Sequence, residues 1–252
     1  MAVIQARMSS TRLPGKVLMT ICGKPILQLQ LERVKNCSTL DKVIIATSTD
    51  SSDDAIERFC KENNVYCYRG SLDDVLDRFY NAAELFQPEH ILRLTGDCPL
   101  TDPDVLSGLI KFYFNGNFDY ASNTLKPTFP DGLDCWVFRK ELLDKAWNDA
   151  KLPSEREHIT IFFNNNIEKF HVGSYEQEFD YSDFRWTVDE PEDIELVTKI
   201  FEQLYPNNPA FCMNDVIELI LNDQSLKEIN SKFIRDEGLI KSLEADKKFS
   251  DE

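Results

Sequence analysis

Ala2-Val3-Ile4-Gln5-Ala6-Arg7-Met8-Ser9-Ser10-Thr11-Arg12-Leu13-Pro14-Gly15-Lys16 opens the chain with a short apolar run that breaks into a hydroxyl-rich loop. A helix start follows at Gly23-Lys24-Pro25, so the order is strand, basic loop, helix. Arg7, Arg12 and Lys16 lie in the loop, and no Asp or Glu precedes Glu32 in a chain of net charge -16. Such a local excess of positive charge suits a polyphosphate, because arginine forks two oxygens and lysine supplies a point charge. The spacing matches neither G-x-x-x-x-G-K-[ST] nor G-x-G-x-x-G, and composition alone leaves a phosphate loop and an ordinary solvated loop equally open.

Outward from this stretch, residues 25–35 carry Leu27, Leu31 and Val34 at helical spacing, with Pro25 suited to the first turn. Val43-Ile44-Ile45-Ala46-Thr47 is the continuous apolar run of a strand covered on both faces. Ser51-Ser52-Asp53-Asp54 starts a helix bearing Ile56, Phe59 and Cys60, and residues 65–68 form a third strand. Ser71 begins an S-x-x-D cap for a helix striped by Leu72, Val75, Leu76, Phe79, Ala83 and Phe86. A fourth strand at 91–94 ends in Thr95-Gly96-Asp97-Cys98-Pro99, and Asp102 caps the helix that follows. This alternation predicts an α/β fold with a mostly parallel, doubly wound sheet and ligands at the carboxyl ends of its strands.

After Asn115 the pattern shortens. Strands are expected at 118–121, 133–138 and 169–172, helices at 140–150 and 155–164, and two long polar loops at 123–131 and 174–183. Residues 185–189 predict a return strand, 191–204 an amphipathic helix, and 214–243 increasingly charged helix before a solvated tail at 246–252.

The 252 residues, 42% hydrophobic, suffice for one full-sized core. Seven cysteines with no C-x-x-C or Cys/His spacing indicate neither a disulfide framework nor a zinc site. The acidic balance argues against nonspecific nucleic-acid binding, which needs a basic surface. No run approaches the ~18–20 apolar residues of a membrane span, and the opening reads as a strand rather than a leader, so a soluble cytoplasmic protein is expected.

Asp97 and Asp189 each follow a predicted strand and precede a proline-containing helix start. Singly, each reads as a turn or N-cap residue. Together at one sheet edge they have the chemistry of a Mg²⁺ site, which takes one or two carboxylates and completes its shell with water and phosphate oxygens.

An ordered set of motifs carries a family resemblance. It comprises Gln5-Ala6-Arg7-Met8-x-Ser10-Thr11-Arg12-Leu13-Pro14-Gly15-Lys16, Arg69-Gly70-Ser71-x-Asp73-Asp74-Val75-Leu76-x-Arg78, Arg93-Leu94-Thr95-Gly96-Asp97-Cys98-Pro99-Leu100 and Pro130-Asp131-Gly132-Leu133-Asp134. Ser154-Glu155-Arg156-Glu157-His158-Ile159-Thr160 and Arg185-Trp186-Thr187-Val188-Asp189-Glu190-Pro191-Glu192-Asp193 complete it. The set resembles the cytidylyltransferases of the spore-coat polysaccharide type, relatives of the CMP-sialic acid and CMP-KDO synthetases, from the first residue to about Leu243.

The resemblance implies a sheet of the nucleotide-diphospho-sugar transferase type, and transfer of CMP from CTP to a sugar acid or similar acceptor with release of pyrophosphate. By motif position Ala6, Arg7, Ser10, Arg12 and Lys16 hold the triphosphate, while Asp97 and Asp189 hold Mg²⁺. Arg69, Gly70, Asp74, Arg93 and Thr95 are placed near cytosine and ribose. Asn123, Asp131, Asp134, Trp136, Arg156, Glu157, His158 and Arg185 are placed in an acceptor pocket, where a sugar carboxylate is expected to meet Arg156 or Arg185. Arg7, Arg12, Lys16 and Asp97 are the implied catalytic residues. One domain is expected, with a nucleotide-binding portion at 1–114, an acceptor-binding portion at 115–183, and the return strand and C-terminal helices at 184–245.

Plainer readings compete at the acceptor positions: Asp131-Gly132 as a turn, Arg156 as a solvated helix start, His158 as a packed or capping residue, Arg185 as an ion-pair partner. Two positions depart from the family pattern, Trp136 where an acidic residue is common and Ile161 where proline is common. Tryptophan puts a large flat surface where a charged hydrogen-bonding group would be. The rival functions are a glycosyltransferase using a nucleotide-sugar, which the single acid of Gly96-Asp97-Cys98-Pro99 disfavours, and a nucleotide-binding regulatory subunit without turnover. The acidic C-terminal helices read equally as a homodimer surface or a solvated face.

Overall fold

The computed structural model describes residues 1–235 together with Leu243 and Asp246. The rest of the helix and tail expected beyond residue 235 lies outside the described residues.

The chain runs through β1 (Ala2–Gln5), a hairpin of β2 (Thr20–Ile21) and β3 (Lys24–Pro25), α1 (Ile26–Lys35), β4 (Val43–Ser48), α2 (Asp54–Glu62) and β5 (Tyr66–Gly70). It continues with α3 (Val75–Glu84), β6 (His90–Thr95), α4 (Pro103–Asn115), β7 (Tyr120–Ser122), β8 (Trp136–Arg139), α5 (Lys140–Asp149), α6 (Pro153–Glu157), α7 (Ile159–Asn165) and β9 (Val172–Ser174). Helices α8 (Pro191–Leu204), α9 (Met213–Asn222) and α10 (Gln224–Glu228) follow.

Seven strands form one sheet in the order β5-β4-β1-β6-β8-β7-β9. Every neighbouring pair is parallel except those of β8, which runs against both β6 and β7. Side-chain alternation along β1 sends Ala2 and Ile4 to one face and Val3 to the other, all fully buried, so both faces need a helical cover. On one side Ile4 packs with Leu27 and Leu31 of α1, Leu106 and Leu109 of α4, and Val197 and Phe201 of α8. On the other Val3 packs with Leu76 and Phe79 of α3, Leu143 of α5 and Phe163 of α7. The α/β architecture expected from the alternation is the one observed. Among the described residues no helix is long and apolar enough to cross a membrane.

Several local expectations need correction. Residues 185–189 make no strand: Arg185 forms an isolated parallel bridge to Asp131, and Val188 N–H donates to the Asp97 carbonyl at 2.9 Å. The segment is extended because it stitches two loops at the sheet edge. The helix expected at 155–164 divides at His158, whose φ of -115° and ψ of 89° are not helical. The β-branched run Ile159-Thr160-Ile161 that follows favours such a break. The cap of α3 is Asp74, accepting from Asp77 N–H at 2.9 Å, while Ser71 Oγ accepts from Asp74 N–H one turn earlier. The short strands sit a few residues later than expected, at β7, β8 and β9, and the helix expected from 214 breaks at Asp223.

Candidate active site

The opening loop is shaped by backbone and by one buried acid. Asp53, fully buried before α2, accepts from Met8 N–H at 2.7 Å with one oxygen, and from Ser48 N–H and Oγ at 2.9 and 2.5 Å with the other. The loop closes where Gly15, at φ +74°, donates to the Met8 carbonyl at 2.9 Å. That turn sends Lys16 back toward the sheet edge.

There the Lys16 ammonium meets Asp97 Oδ2 at 2.7 Å and Asp189 Oδ1 at 2.6 Å. Arg12 adds contacts to Asp189 at 3.0 Å and Glu190 at 3.2 Å. Asp97 is brought in by Gly96, whose N–H donates to the Gln5 carbonyl at 2.8 Å; a Cβ there would lie 2.8 Å from that of Ala6. Asp189 is brought in by the bond from Val188 to Asp97 and by Asp193, which accepts from the N–H groups of Asp189 and Glu190 at 2.9 Å.

Burial opposes charge on Lys16, yet the pull of both carboxylates leaves its ammonium pKa raised. Burial likewise opposes ionisation of Asp97, but the Lys16 charge and hydrogen bonds hold its carboxyl well below the usual carboxylate range. Two hard carboxylates converging on one cationic centre are a donor set that fits Mg²⁺.

This cluster lies in a cavity of about 590 Å³ at the carboxyl ends of β1 and β6. Of the residues singled out in the sequence, the cavity brings together Ala6, Arg7, Ser10, Arg12, Lys16, Arg93, Thr95, Asp97, Asp131, Asp134, Trp136, Glu157, His158, Arg185 and Asp189.

Five others lie outside its lining. Arg69 donates to the carbonyls of Ser48 and Asp50 and pairs with Asp54 and Glu57. Gly70 follows it at the end of β5, paired with Ser48. Asp74 is occupied in capping α3 and in binding Arg156, which also donates to the Trp147 carbonyl at 3.0 Å. The pair ties α6 to the start of α3 and lies outside the cavity lining. Asn123, fully buried, donates to the Leu133 carbonyl at 2.8 Å and accepts from Cys135 N–H at 2.9 Å, bracing the approach to β8.

Arg185 lines the cavity but is ringed by acids: Asp193 at 2.9 Å, Asp131 at 3.3 Å and Asp189 at 3.4 Å. Burial opposes its charge and these partners more than restore it, raising its pKa. These contacts tie the loops carrying Asp131 and Asp189 to the start of α8. Gly132 turns the chain beside it at φ +104°, where a Cβ would sit 2.4 Å from the Thr187 nitrogen, so only glycine is accommodated.

Trp136 is not an open platform. The Arg93 guanidinium lies over its ring at 4.3 Å, and its Nε1 donates to Thr124 Oγ1 at 3.0 Å.

Sequence reasoning missed Arg78, Gln5 and Asp193 as parts of the site. Arg78 lines the cavity from α3, 2% exposed, donating to the Ser71 and Leu72 carbonyls while its Nε has no partner among the described residues. Burial, and then the nearby Arg7 charge, lower its pKa to about 10. Arg78 lies off the apolar face of the α3 stripe by helical spacing, so its burial was not legible in the pattern.

A family model for cytidylyltransferases matches residues 1–217. The spore coat polysaccharide biosynthesis protein SpsF of Bacillus subtilis is 34% identical over 225 residues, covering 86% of this chain and 92% of its own. A solved cytidylyltransferase from Leptospira borgpetersenii superposes with a TM-score of 0.86 at 35% identity, over 92% of this chain and 97% of that one. The fold is also that of a CMP:2-keto-3-deoxy-manno-octonic acid synthetase solved with CTP, at a TM-score of 0.62 and 19% identity over 80% and 98% of the two chains. Sequence match and site geometry agree: the chain belongs to the cytidylyltransferase family.

Proposed function

We propose that this cavity transfers CMP from CTP to a hydroxyl of an acidic sugar, releasing pyrophosphate, to supply an activated sugar for polysaccharide synthesis. The observation that carries the reading is Lys16 reaching from the opening loop to Asp97 and Asp189 within one cavity of a cytidylyltransferase chain. SpsF supports the polysaccharide context, and the synthetase solved with CTP supports the nucleotide and an acidic sugar.

In this reading the triphosphate lies along Arg7, Ser10 and Arg12, and Lys16 exchanges its carboxylates for phosphate oxygens. The acceptor hydroxyl attacks the α-phosphorus in line. A new P–O bond forms there, the hydroxyl proton passes to water, the bond to the oxygen bridging to the β-phosphorus breaks, and Arg12 and Lys16 neutralise the departing pyrophosphate. Positioning and charge stabilisation then account for most of the acceleration. Asp97 and Asp189 would hold Mg²⁺, which when bound supplies neutralising charge to the phosphate oxygens.

Pyrophosphate release, screened with each nucleoside triphosphate against a panel of acidic and neutral sugars, tests the reading. Selective turnover with CTP is the expected result. Asp97→Ala should abolish that release while the chain stays folded, its thermal midpoint lowered only by the loss of the Lys16–Asp97 pair, because Lys16 keeps Asp189. Full turnover in Asp97→Ala would overturn the carboxylate assignment, and sugar transfer from a nucleotide-sugar without pyrophosphate would overturn the reaction.

A further inference from the structure

The cations lining the cavity differ in what neutralises them. Arg12, Lys16 and Arg185 each face carboxylates. Arg93, on the strand that leads into Asp97, is 5% exposed and forms no ion pair among the described residues. A guanidinium taken out of water without an anion is unfavourable, and its own geometry indicates which anion it awaits.

Two contacts fix the Arg93 group. Its Nε donates to Gln5 Oε1 at 3.1 Å, and its plane lies over the Trp136 ring at 4.3 Å. Trp136 sits opposite Arg93 in the β6–β8 register and is itself anchored through Nε1 to Thr124. One edge and one face of the guanidinium are therefore occupied. The two Nη nitrogens take no protein partner among the described residues, and a planar anion can be held by both at once. Asp134 and Asp97 lie near enough to act on the Arg93 charge, which favours a singly charged guest over a phosphate. The arginines placed by motif position on an acceptor carboxylate are otherwise engaged, Arg156 by Asp74 outside the cavity and Arg185 by three acids.

We infer that Arg93, placed by motif position near cytosine and ribose, is instead, held flat by Trp136 and Gln5, the receptor for the carboxylate of the acceptor sugar. The inference rests on the proposed transfer to an acidic acceptor. Trp136 and Gln5 are positioning residues, and the tryptophan that departs from the family pattern acts through the arginine it carries.

Three measurements test this. In pyrophosphate-release assays that pair each acidic sugar with its amide, the acids should turn over and the amides should not. Arg93→Met should raise the acceptor KM about 100-fold, as for loss of one partner of a buried charge pair. Its CTP dissociation constant, read by equilibrium dialysis, should stay within about twofold, since the triphosphate has its own cations. Arg93→Lys should recover part of the loss, and Trp136→Leu should raise the acceptor KM about tenfold with little change in kcat.

The third measurement needs no turnover: crystals soaked in bromide should show an anomalous peak at the Arg93 Nη pair that Arg93→Met removes. Equal turnover of acid and amide, or loss of CTP binding in Arg93→Met with an unchanged acceptor KM, would overturn the inference. So would bromide bound elsewhere in the cavity and not at Arg93. If no sugar turns over while bromide occupies Arg93, the transfer reading fails and the anion receptor stands.

Discussion

Lys16 is the residue on which the two halves of the site meet. It leaves the opening loop after Gly15, whose left-handed φ of 74° turns it inward, and its ammonium is the sole charge shared by Asp97 and Asp189 at hydrogen-bond distance among the described contacts. Removing it acts twice. The two carboxylates lose the cation that holds them together, and the departing pyrophosphate loses a point charge in a partly buried site. Lys16→Met, which keeps the aliphatic stem, should therefore lower kcat for pyrophosphate release about 10²–10³-fold, the range for deleting one preorganised charge-stabilising donor. A change confined to the KM for CTP would show instead that Lys16 serves ground-state binding alone.

At the scale of elements, the start of α8 does more than begin a helix. Asp193 is fully buried, and its oxygens accept from Arg185 Nε and Nη2, from Asn230 Nδ2, and from the N–H groups of Asp189 and Glu190. One carboxylate thus caps the helix, neutralises Arg185 and fixes the backbone that carries Asp189. Asn230 also donates to the Arg185 carbonyl at 2.9 Å, and Arg235 reaches Asp134, so the segment after α10 closes over the same corner. Asp193→Ala should destabilise the protein by about 3–5 kcal/mol, because it leaves a buried arginine short of its partner. Asp193→Asn, which retains one acceptor oxygen, should recover part of that loss; urea denaturation midpoints measure both.

Across the whole molecule, an excess of acidic groups surrounds a small cationic centre whose pairing sets a pH window. The folded pKa of Asp97 is depressed from 3.8 to about 2, with burial opposing and the Lys16 charge prevailing. A depressed carboxyl contributes stability that is fully present above its unfolded value and is lost as pH falls through the folded one. Lys16 is raised above 10.5, so its contribution is present below that pH and lost above it. The difference in thermal midpoint between the parent and Asp97→Asn should therefore hold steady from about pH 5 to 9 and shrink toward pH 2, where the parent acid is itself protonated. A difference independent of pH down to 2 would show that packing, and not charge, accounts for it.

Legibility followed the range of the forces involved. Alternating apolar runs such as Val43 to Thr47 and the stripe through Val75, Leu76 and Phe79 are local consequences of a sheet buried on both faces, and they determined the α/β layering without any contact being known. The basic opening loop and the acids after two predicted strands likewise pointed to the edge where the proposed chemistry lies, because ligands gather where parallel strands end. What the sequence left undecided was partnership between distant residues. Arg156, Arg185 and Arg93 are equally cationic as letters, yet the fold spends the first on Asp74, surrounds the second with Asp131, Asp189 and Asp193, and lays the third on Trp136 with its Nη pair unengaged by protein among the described residues. An ion pair depends on a few ångströms of separation between segments far apart in the chain. Only the tertiary structure decides which arginine keeps its charge for a ligand.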